Sequence, residues 1–186
     1  MDIFDKYAGI AERRGKLLAA GADPFNLSME AMHGPTEATI AGRRTILVGT
    51  NNYLGLTFDP ACIESGVEAL RTLGTGTTGS RIANGTYGGH RALEEEMARF
   101  MNRRHAIVFS TGYQANLAMI SGLAGPKDVI LVDSDWHASI WDGCRLSGAT
   151  VVRFRHNDPE DLDKRLTRNA GTGDCKLVIV EGTYSM

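Results

Sequence analysis

Short apolar runs alternate with helix-length segments through the second half of the chain, and this alternation constrains the fold most strongly. The runs are HAIVFS (105–110), DVILVD (128–133), TVVRFR (150–155) and KLVIVEG (176–182). The segments between them are 113–124, 137–147 and 159–169. Strands that are apolar on both faces and separated by helices are typical of a parallel sheet covered on each side. With right-handed crossovers, the pattern predicts an α/β fold with three consecutive βαβ units.

The residues before this region predict smaller elements. Residues 1 to about 30 predict a helical arm and a loop, and 36–48 alternate around Gly42 as a β-hairpin does. A helix is expected over 60–73, where Pro60 suits a first helical turn. The next segment, 74–89, contains six glycines and is expected to be a loop before a helix over about 90–102. We divide the chain into an arm and hairpin over 1–45 and a larger part over 46–186.

Composition excludes several classes of function. Lys and Arg number 20 against 22 Asp and Glu, so no basic face argues for a nucleic-acid partner. No apolar run approaches the roughly 20 residues of a transmembrane segment, and the first residues lack the core of a signal peptide. The three cysteines are scattered, which favours reduced thiols over a disulfide or a metal site. We expect a cytoplasmic protein with no transmembrane segment and no metal.

A glycine motif at residues 74–79 resembles a dinucleotide-binding fingerprint. GTGTTG matches G-x-G-x-x-G, which needs a strand before it and a helix directly after it, so that a pyrophosphate meets the helix start. Here the expected helix precedes the motif and further glycines follow it. We therefore reject a nicotinamide or flavin site. The segment is expected to be a loop whose backbone lets a ligand or a partner subunit approach closely.

Polar and aromatic residues follow three of the expected strands, at the edge where ligands bind in open α/β sheets. Gly112 and Tyr113 follow the first run and open a helix whose free N–H groups would attract a phosphate. The second run is followed by SDWH (134–137), which ends in His137. The last run supplies Glu181, Tyr184 and Ser185. Together these residues favour a planar, phosphorylated ligand.

Each of these features also has an ordinary structural explanation. A glycine at a helix start is often structural, Asp135 suits the N-cap of the helix near His137, and Ser185 suits a turn. The other histidines show no partner pattern, and we interpret them as structural or surface residues: His33, His90, His105 and His156. A ligand site requires that these features share one edge of the sheet.

A series of motifs from residue 45 onward resembles the α-oxoamine synthases. They are NNYLGL (51–56), GTGTTGSRIANGT (74–86), GGHRALEEEMARF (88–100), AIVFSTGYQANLAMISGLAG (106–125), HASIWDGCRLSGA (137–149), VRFRHND (152–158) and VIVEGTYSM (178–186). GTTGSRIANGT, FSTGYQAN and RFRHND are most similar to the bacterial serine palmitoyltransferase branch. The motifs occur in family order and with family-like spacing.

The resemblance implies the large domain of a fold-type-I pyridoxal 5'-phosphate transferase that works as a homodimer. In such an enzyme the cofactor stabilises a carbanion on the amino acid, which attacks an acyl-CoA with loss of CO2. For this branch the implied substrates are L-serine and palmitoyl-CoA, and the product is 3-oxosphinganine. Glycine C-acetyltransferase and 8-amino-7-oxononanoate synthase activities remain alternatives within the family.

The resemblance also implies roles for individual residues. Gly112 and Tyr113 match the turn that binds the cofactor phosphate, and Ser185 matches a serine near the phenolic oxygen of the cofactor. His137 matches the histidine that stacks on the pyridine ring and can bind the substrate carboxylate, and it is the expected catalytic residue. Three further residues match substrate-binding positions, Asn52 close to the substrate and to Glu181, and Ser80 and Arg81 in the loop of the acyl-CoA channel.

The sequence departs from the family pattern at two positions, with Asn51 where relatives often have tyrosine and Trp136 where they have serine. The Schiff-base lysine is expected beyond Met186, with the aspartate that pairs with the pyridinium nitrogen. None of the lysines present lies in the family's lysine motif: Lys6, Lys16, Lys127, Lys164 and Lys176. We therefore expect a truncated large domain that is inactive alone. An inactive remnant or a non-catalytic subunit is the alternative.

Overall fold

A computed structural model describes residues 2–21 and 27–184 of the chain. These residues form two compact units, Met1–Thr78 and Gly79–Met186, which we call the first and second units. Among the described residues, no helix has both the length and the apolar character needed to cross a membrane. The boundary predicted near residue 45 stays a prediction.

The first unit contains the helical arm, a small antiparallel sheet and a second helix. Its elements are α1 (Ala8–Ala19), β1 (Ala31–Met32), β2 (Glu37–Ile40), β3 (Arg43–Ile46) and α2 (Pro60–Leu73), with the strands in the order β1-β2-β3. Ala41 and Gly42 both have positive φ, as a tight two-residue hairpin turn requires. The predicted hairpin is therefore confirmed.

Helix α2 begins and ends where the sequence predicts. The Asp59 side chain accepts a hydrogen bond from the N–H of Cys62 at 3.0 Å and caps the helix, and Pro60 occupies its first turn. Gly74, at φ +84°, ends it. No residue of α1 or α2 is buried, so the apolar faces of both helices remain exposed.

The second unit is a three-stranded parallel sheet with helices on both faces. Its elements are α3 (Gly88–Phe100), α4 (Gly112–Leu123), β4 (Val129–Asp133), α5 (Ala138–Ser147), β5 (Thr150–Phe154), α6 (Pro159–Arg168) and β6 (Lys176–Ile179). The strand order is β5-β4-β6, so β4 is central and all five of its residues are buried. This arrangement confirms the α/β class.

Alternate residues of β4 serve two separate cores. Ile130 and Val132 pack with Ile120 of α4 and Ile140 of α5 on one face. Val129 and Leu131 pack on the other face, toward α6. Because successive strand residues point to opposite faces, a strand buried on both sides must be apolar throughout, as the VILV run is. The carboxyl end of β4 is thereby held rigidly between the helices.

The strand predicted over 105–110 is absent from the described sheets, so two βαβ units are present where we predicted three. The backbone of Val108 shows why. Its N–H donates to the Glu94 carboxylate at 3.0 Å, and its C=O accepts from Arg81 at 3.0 Å. Side chains therefore satisfy the groups that a neighbouring strand would use. An apolar run specifies an extended backbone but not its partner.

Candidate active site

The start of α4 offers two unpaired donors. Thr111 caps this helix, since its hydroxyl accepts from the N–H of Gln114 at 3.1 Å. Among residues 2–21 and 27–184, no acceptor is found for the N–H groups of Gly112 and Tyr113. A Cβ built on Gly112 would meet nothing within 4 Å, so the approach to these groups is open. Free N–H groups at a helix start favour an anion.

Tyr113 connects the start of α4 to α5. Its hydroxyl donates to the carboxylate of Asp142 on α5. This hydrogen bond, with some burial and the carboxylate charge, raises the pKa of Tyr113 above its ordinary value. The Tyr113 ring lies 6.3 Å from the His137 ring, centroid to centroid, at an interplanar angle of 75°. The structure therefore brings together the two positions that the sequence associates with the phosphate and the ring of a ligand.

A glycine at the contact between the two helices makes this proximity possible. A Cβ on Gly143 would lie 3.0 Å from the Cβ of Ile120 and 3.2 Å from the carbonyl oxygen of Asn116. A larger side chain would push α5 away from α4. Gly143 thus sets the distance between the helices that carry Tyr113 and His137.

His137 itself caps α5. Its Nδ1 accepts from the N–H of Ser139 at 3.1 Å, and its own N–H donates to Glu181 at 2.7 Å. The expectation that Asp135 is the N-cap is therefore wrong. The N–H of Asp135 instead donates to Asp133 at 2.9 Å, which turns the chain before the helix begins. The His137 side chain is exposed and remains accessible to a ligand.

Sequence reasoning missed a buried carboxylate beside this site. Asp133, the last residue of β4, is 2% exposed and accepts from the N–H groups of Asp135 and Asn157, each at 2.9 Å. His156 Nδ1 lies 2.9 Å from the same carboxylate. Burial alone would raise the pKa of Asp133, but these hydrogen bonds outweigh it and lower the pKa. The HND segment after β5 was the available signal.

The loop after β6 joins the same cluster. The Tyr184 ring packs edge-on against the His156 ring, with centroids 4.6 Å apart. The Tyr184 hydroxyl accepts from the N–H of Glu181 at 3.3 Å, and Glu181 in turn accepts from His137. Asp133 and His156 therefore support the loop that contacts the cap of α5. Ser185, the predicted neighbour of the cofactor oxygen, lies outside the described residues.

Asp133, Asp135 and His156 have ligand-type atoms within 4.8 Å of one another. Hydrogen bonds already account for this proximity, because both Asp133 oxygens accept backbone N–H groups and His156 donates to one of them. We therefore assign no metal to the cluster.

The loop carrying Ser80 and Arg81 is folded tightly on itself. The Ser80 carbonyl accepts from the N–H of Gly85 at 2.9 Å. A Cβ on Gly85 would lie 1.8 Å from the carbonyl oxygen of Gly79, which only glycine tolerates. The glycines thus permit close backbone approach within the loop.

Arg81 is engaged within the second unit. Its guanidinium donates to Glu94 at 2.7 Å, to the Val108 carbonyl at 3.0 Å and to Thr86 at 3.2 Å. The pKa of Glu94 lies below its ordinary value, chiefly because of the hydrogen bond from the Val108 N–H and secondly because of the one from Arg81. The guanidinium fastens the loop to α3, and a substrate-binding role for Arg81 stays a prediction.

A groove of about 940 Å³ opens beside this loop. Its lining includes Ser80 and Ile82 of the loop, the segment 107–110, and Gln114 and Leu117 of α4. The groove reaches the first turn of α4. The second unit therefore combines an open apolar groove with the donors at that helix start.

Asn52 lies in the first unit. Its side-chain amide donates to the Thr57 hydroxyl at 2.9 Å and to the Pro35 carbonyl at 3.3 Å, and Asn51 accepts from Tyr53 at 3.2 Å. These contacts hold the NNYLG turn. The predicted proximity of Asn52 to Glu181 stays a prediction.

The protein should lose stability above about pH 6.5 through His156. Hydrogen bonding to Asp133, opposed by partial burial, raises the pKa of His156 in the folded protein. Its contribution to stability is therefore complete below about pH 6.5, the ordinary pKa of histidine, and is lost as pH rises through the higher pKa of the folded state. The pKa of Asp133 is lowered, so the contribution of Asp133 to stability is lost only in acid, as pH falls through that lowered pKa. Urea unfolding between pH 5 and 9 measures the alkaline loss.

The matched control for this pH profile is a second, exposed histidine. His156→Gln should remove part of the alkaline loss, whereas His105→Gln should retain it. Equal profiles for both variants would show that the pair with Asp133 has no part in the pH dependence.

Comparison with known proteins places this geometry in a family. The sequence pattern of the family described as aminotransferase class I and II matches residues 43–186. The chain belongs to the aminotransferase class I and II family. Serine palmitoyltransferase of Caulobacter vibrioides is 53% identical over all 186 residues, which are 46% of that protein. The resemblance to the serine palmitoyltransferase branch is therefore confirmed.

Solved structures of this aminotransferase family agree with the fold. Sphingomonas wittichii serine palmitoyltransferase is 56% identical, with a TM-score of 0.94 over the whole chain and 47% of its own length. The S. paucimobilis enzyme with a bound pyridoxal phosphate–myriocin adduct is 51% identical, with a TM-score of 0.95 and 48% of its length covered. 8-Amino-7-oxononanoate synthase from Francisella tularensis is 33% identical, with a TM-score of 0.55 over 62% of this chain and 32% of its own. The chain thus spans about half the length of its serine palmitoyltransferase relatives.

Proposed function

We propose that the chain forms the phosphate-binding and ring-stacking part of a pyridoxal-phosphate enzyme that condenses L-serine with palmitoyl-CoA to give 3-oxosphinganine. The observation that carries the proposal is the proximity of two features. The Tyr113 and His137 rings are 6.3 Å apart, and we infer from this that one small ligand reaches both the free N–H groups at the start of α4 and the His137 ring.

The residues present fit pyridoxal phosphate. The N–H groups of Gly112 and Tyr113 would hold its phosphate, and nothing within 4 Å of a Cβ on Gly112 obstructs that approach. The exposed His137 ring would lie against the pyridine ring, and we propose that Ser185 approaches its phenolic oxygen. The cofactor, when bound, supplies an electron sink for the Cα carbanion of the amino acid. The chain's own residues bind and orient the reactants.

The groove beside α4 supports a long acyl substrate. It is open, it has Ile82, Ile107 and Leu117 among its lining residues, and it reaches the first turn of α4. Burial of an acyl chain there would contribute about 0.8 kcal/mol for each methylene. We propose that Ser80 and Arg81 belong to this acyl-CoA channel and that Asn52 contributes to the amino-acid site. The serine palmitoyltransferase relatives support the choice of L-serine and palmitoyl-CoA.

The lysines of the second unit do not lie at the proposed site. Lys127 precedes β4 and Lys176 begins β6, both at the amino ends of the strands, and Lys164 lies on an exposed part of α6. We propose that covalent attachment of the cofactor uses a lysine outside these 186 residues, and that the 186-residue chain alone is inactive.

Assay of the complete reading frame containing these residues tests the proposed reaction. CoA release should require both L-serine and palmitoyl-CoA, and 3-oxosphinganine should appear in equal amount. His137→Ala should lower kcat/KM, and His105→Ala, an exposed substitution at a position without a proposed role, should not. Absence of CoA release above background with this substrate pair would contradict the substrate assignment.

8-Amino-7-oxononanoate synthase activity is the second candidate, because a solved enzyme of that kind shares this fold at 33% identity. The same assay with L-alanine and a pimeloyl thioester discriminates between the two. Glycine with acetyl-CoA provides a further arm for glycine C-acetyltransferase activity. If no pair reacts, a non-catalytic subunit becomes the better interpretation.

We further propose that the complete protein is a cytoplasmic homodimer. Many large apolar side chains are exposed on each unit, including Tyr53 and Leu54 in the first and Ile82 and Phe100 in the second. Clustered exposed apolar residues often mark protein interfaces. Light scattering on the purified complete protein should give twice the monomer mass. A monomer at micromolar concentration would contradict this proposal.

A further inference from the structure

We propose that Asn116 and Ser139 form a hydrogen-bond relay that fixes the proton of His137 on Nε2, so that the ring presents a donor to its ligand. Both are positioning residues, since they act through His137. The role of the Nε2–H group as a donor to the substrate rests on the proposed function, whereas the location of the proton on Nε2 does not.

The first step of the relay is the capping bond at Nδ1. The N–H of Ser139 lies 3.1 Å from His137 Nδ1. A backbone N–H can only donate, so this contact stabilises the form of His137 in which Nδ1 accepts and carries no proton. Capping of α5 thus favours the Nε2–H tautomer of His137.

The Ser139 hydroxyl reinforces this polarity. Its oxygen lies 2.7 Å from His137 Nδ1 and accepts from the side-chain amide of Asn116 on α4 at 2.9 Å. The structure describes no other partner of this hydroxyl, and because the NH2 group of Asn116 cannot accept, the hydroxyl proton is directed at Nδ1. Ser139 has no exposed surface, and Asn116 is half-buried. Water therefore competes poorly for these bonds.

The other ring nitrogen is left as the donor. In a neutral imidazole with an accepting Nδ1, the proton resides on Nε2. His137 is exposed, so this N–H is available to a substrate carboxylate. The relay thereby sets what His137 can do before any ligand binds.

Asn116→Asp reverses the relay with almost no change of shape. A carboxylate only accepts, so the Ser139 hydroxyl should turn toward it and present a lone pair to Nδ1. Nitrogen-15 NMR of the complete protein without substrate should show His137 as Nε2–H in the wild type and shifted toward Nδ1–H in the variant. The resonance is identified by its absence in His137→Gln.

Ser139→Ala provides the matched control. It removes the hydroxyl but keeps the backbone N–H, so His137 should remain Nε2–H. Adding Asn116→Asp to Ser139→Ala should then leave the tautomer unchanged, because the connecting oxygen is gone. An equal shift in both backgrounds would overturn the relay. A wild-type protein with the His137 proton on Nδ1 would also overturn the relay, and this measurement does not depend on a variant that folds.

Kinetics give a second readout. Asn116→Asp should raise the KM for the amino acid roughly tenfold, with a smaller change in kcat, because a hydrogen bond to the substrate carboxylate is lost. A change confined to kcat would contradict this use of the donor. If the wild type shows Nε2–H but releases no CoA with any substrate pair, the proposed function fails and the relay stands.

Discussion

Replacing Gly112 with proline should weaken binding of pyridoxal phosphate roughly 10- to 100-fold while leaving the fold unchanged, since a hydrogen bond to a charged group contributes about 1.5 to 3 kcal/mol. Gly112 is the first residue of α4, a position that proline tolerates because its N–H has no helical partner. Thr111 before it has φ −143° and ψ 152°, the extended conformation that a following proline requires. The substitution therefore removes one donor and little else.

Gly112→Ala is the control for this prediction. It keeps the N–H, and its Cβ would meet nothing within 4 Å, so affinity should stay within a few fold of wild type. Binding to the complete protein is measured by the visible absorption of the cofactor during titration, and thermal unfolding checks the fold. Equal affinities for the proline and alanine variants would show that the first N–H of α4 does not contact the phosphate.

The elements of the second unit were predictable where their signals are local. The VILV run identified β4, because a strand covered on both faces must be apolar throughout. Pro159 and the strand-like runs around it placed α6 between β5 and β6. The proximity of Gly112 to His137 was expected from strands that end at one sheet edge, but the segment before Gly112 is not a strand of the described sheets. Tyr113 and His137 are neighbours because α4 packs against α5 at Gly143.

What the sequence did not predict depends on contacts between distant residues. The segment 105–110 forms no strand of the described sheets, and the Arg81 and Glu94 side chains bind the backbone groups of Val108. The partners of Asp133 lie 2 residues away at Asp135 and 23 residues away at His156. A lone acidic residue at a strand end does not reveal such a partner. The capping of α5 by His137 was missed because Asp135 is the more usual capping residue type.

His137 combines a structural and a proposed functional role, and this explains why its surroundings are so constrained. Its Nδ1 caps α5, its N–H binds Glu181, and its ring meets Tyr113. A residue that only capped the helix would not need the contact with the Tyr113 ring. One that only touched a ligand would not need Nδ1 to accept. The three contacts together fix the ring between two helices and the loop after β6.

Asp133→Asn should destabilise the protein by about 2 to 3 kcal/mol, because an amide cannot accept on both of its atoms. The two carboxylate oxygens accept from the N–H groups of Asp135 and Asn157 and from His156, so either amide orientation sets a donor against a donor.

Asp135→Asn is the control, since it changes an exposed carboxylate and should cost within about 0.5 kcal/mol. Urea unfolding at pH 6, below the ordinary pKa of histidine, compares the two. Because Tyr184 packs on His156 and its hydroxyl binds the N–H of Glu181, Asp133→Asn should also loosen the loop that contacts His137. Equal losses in the two variants would mean that Asp133 does not organise this edge of the sheet.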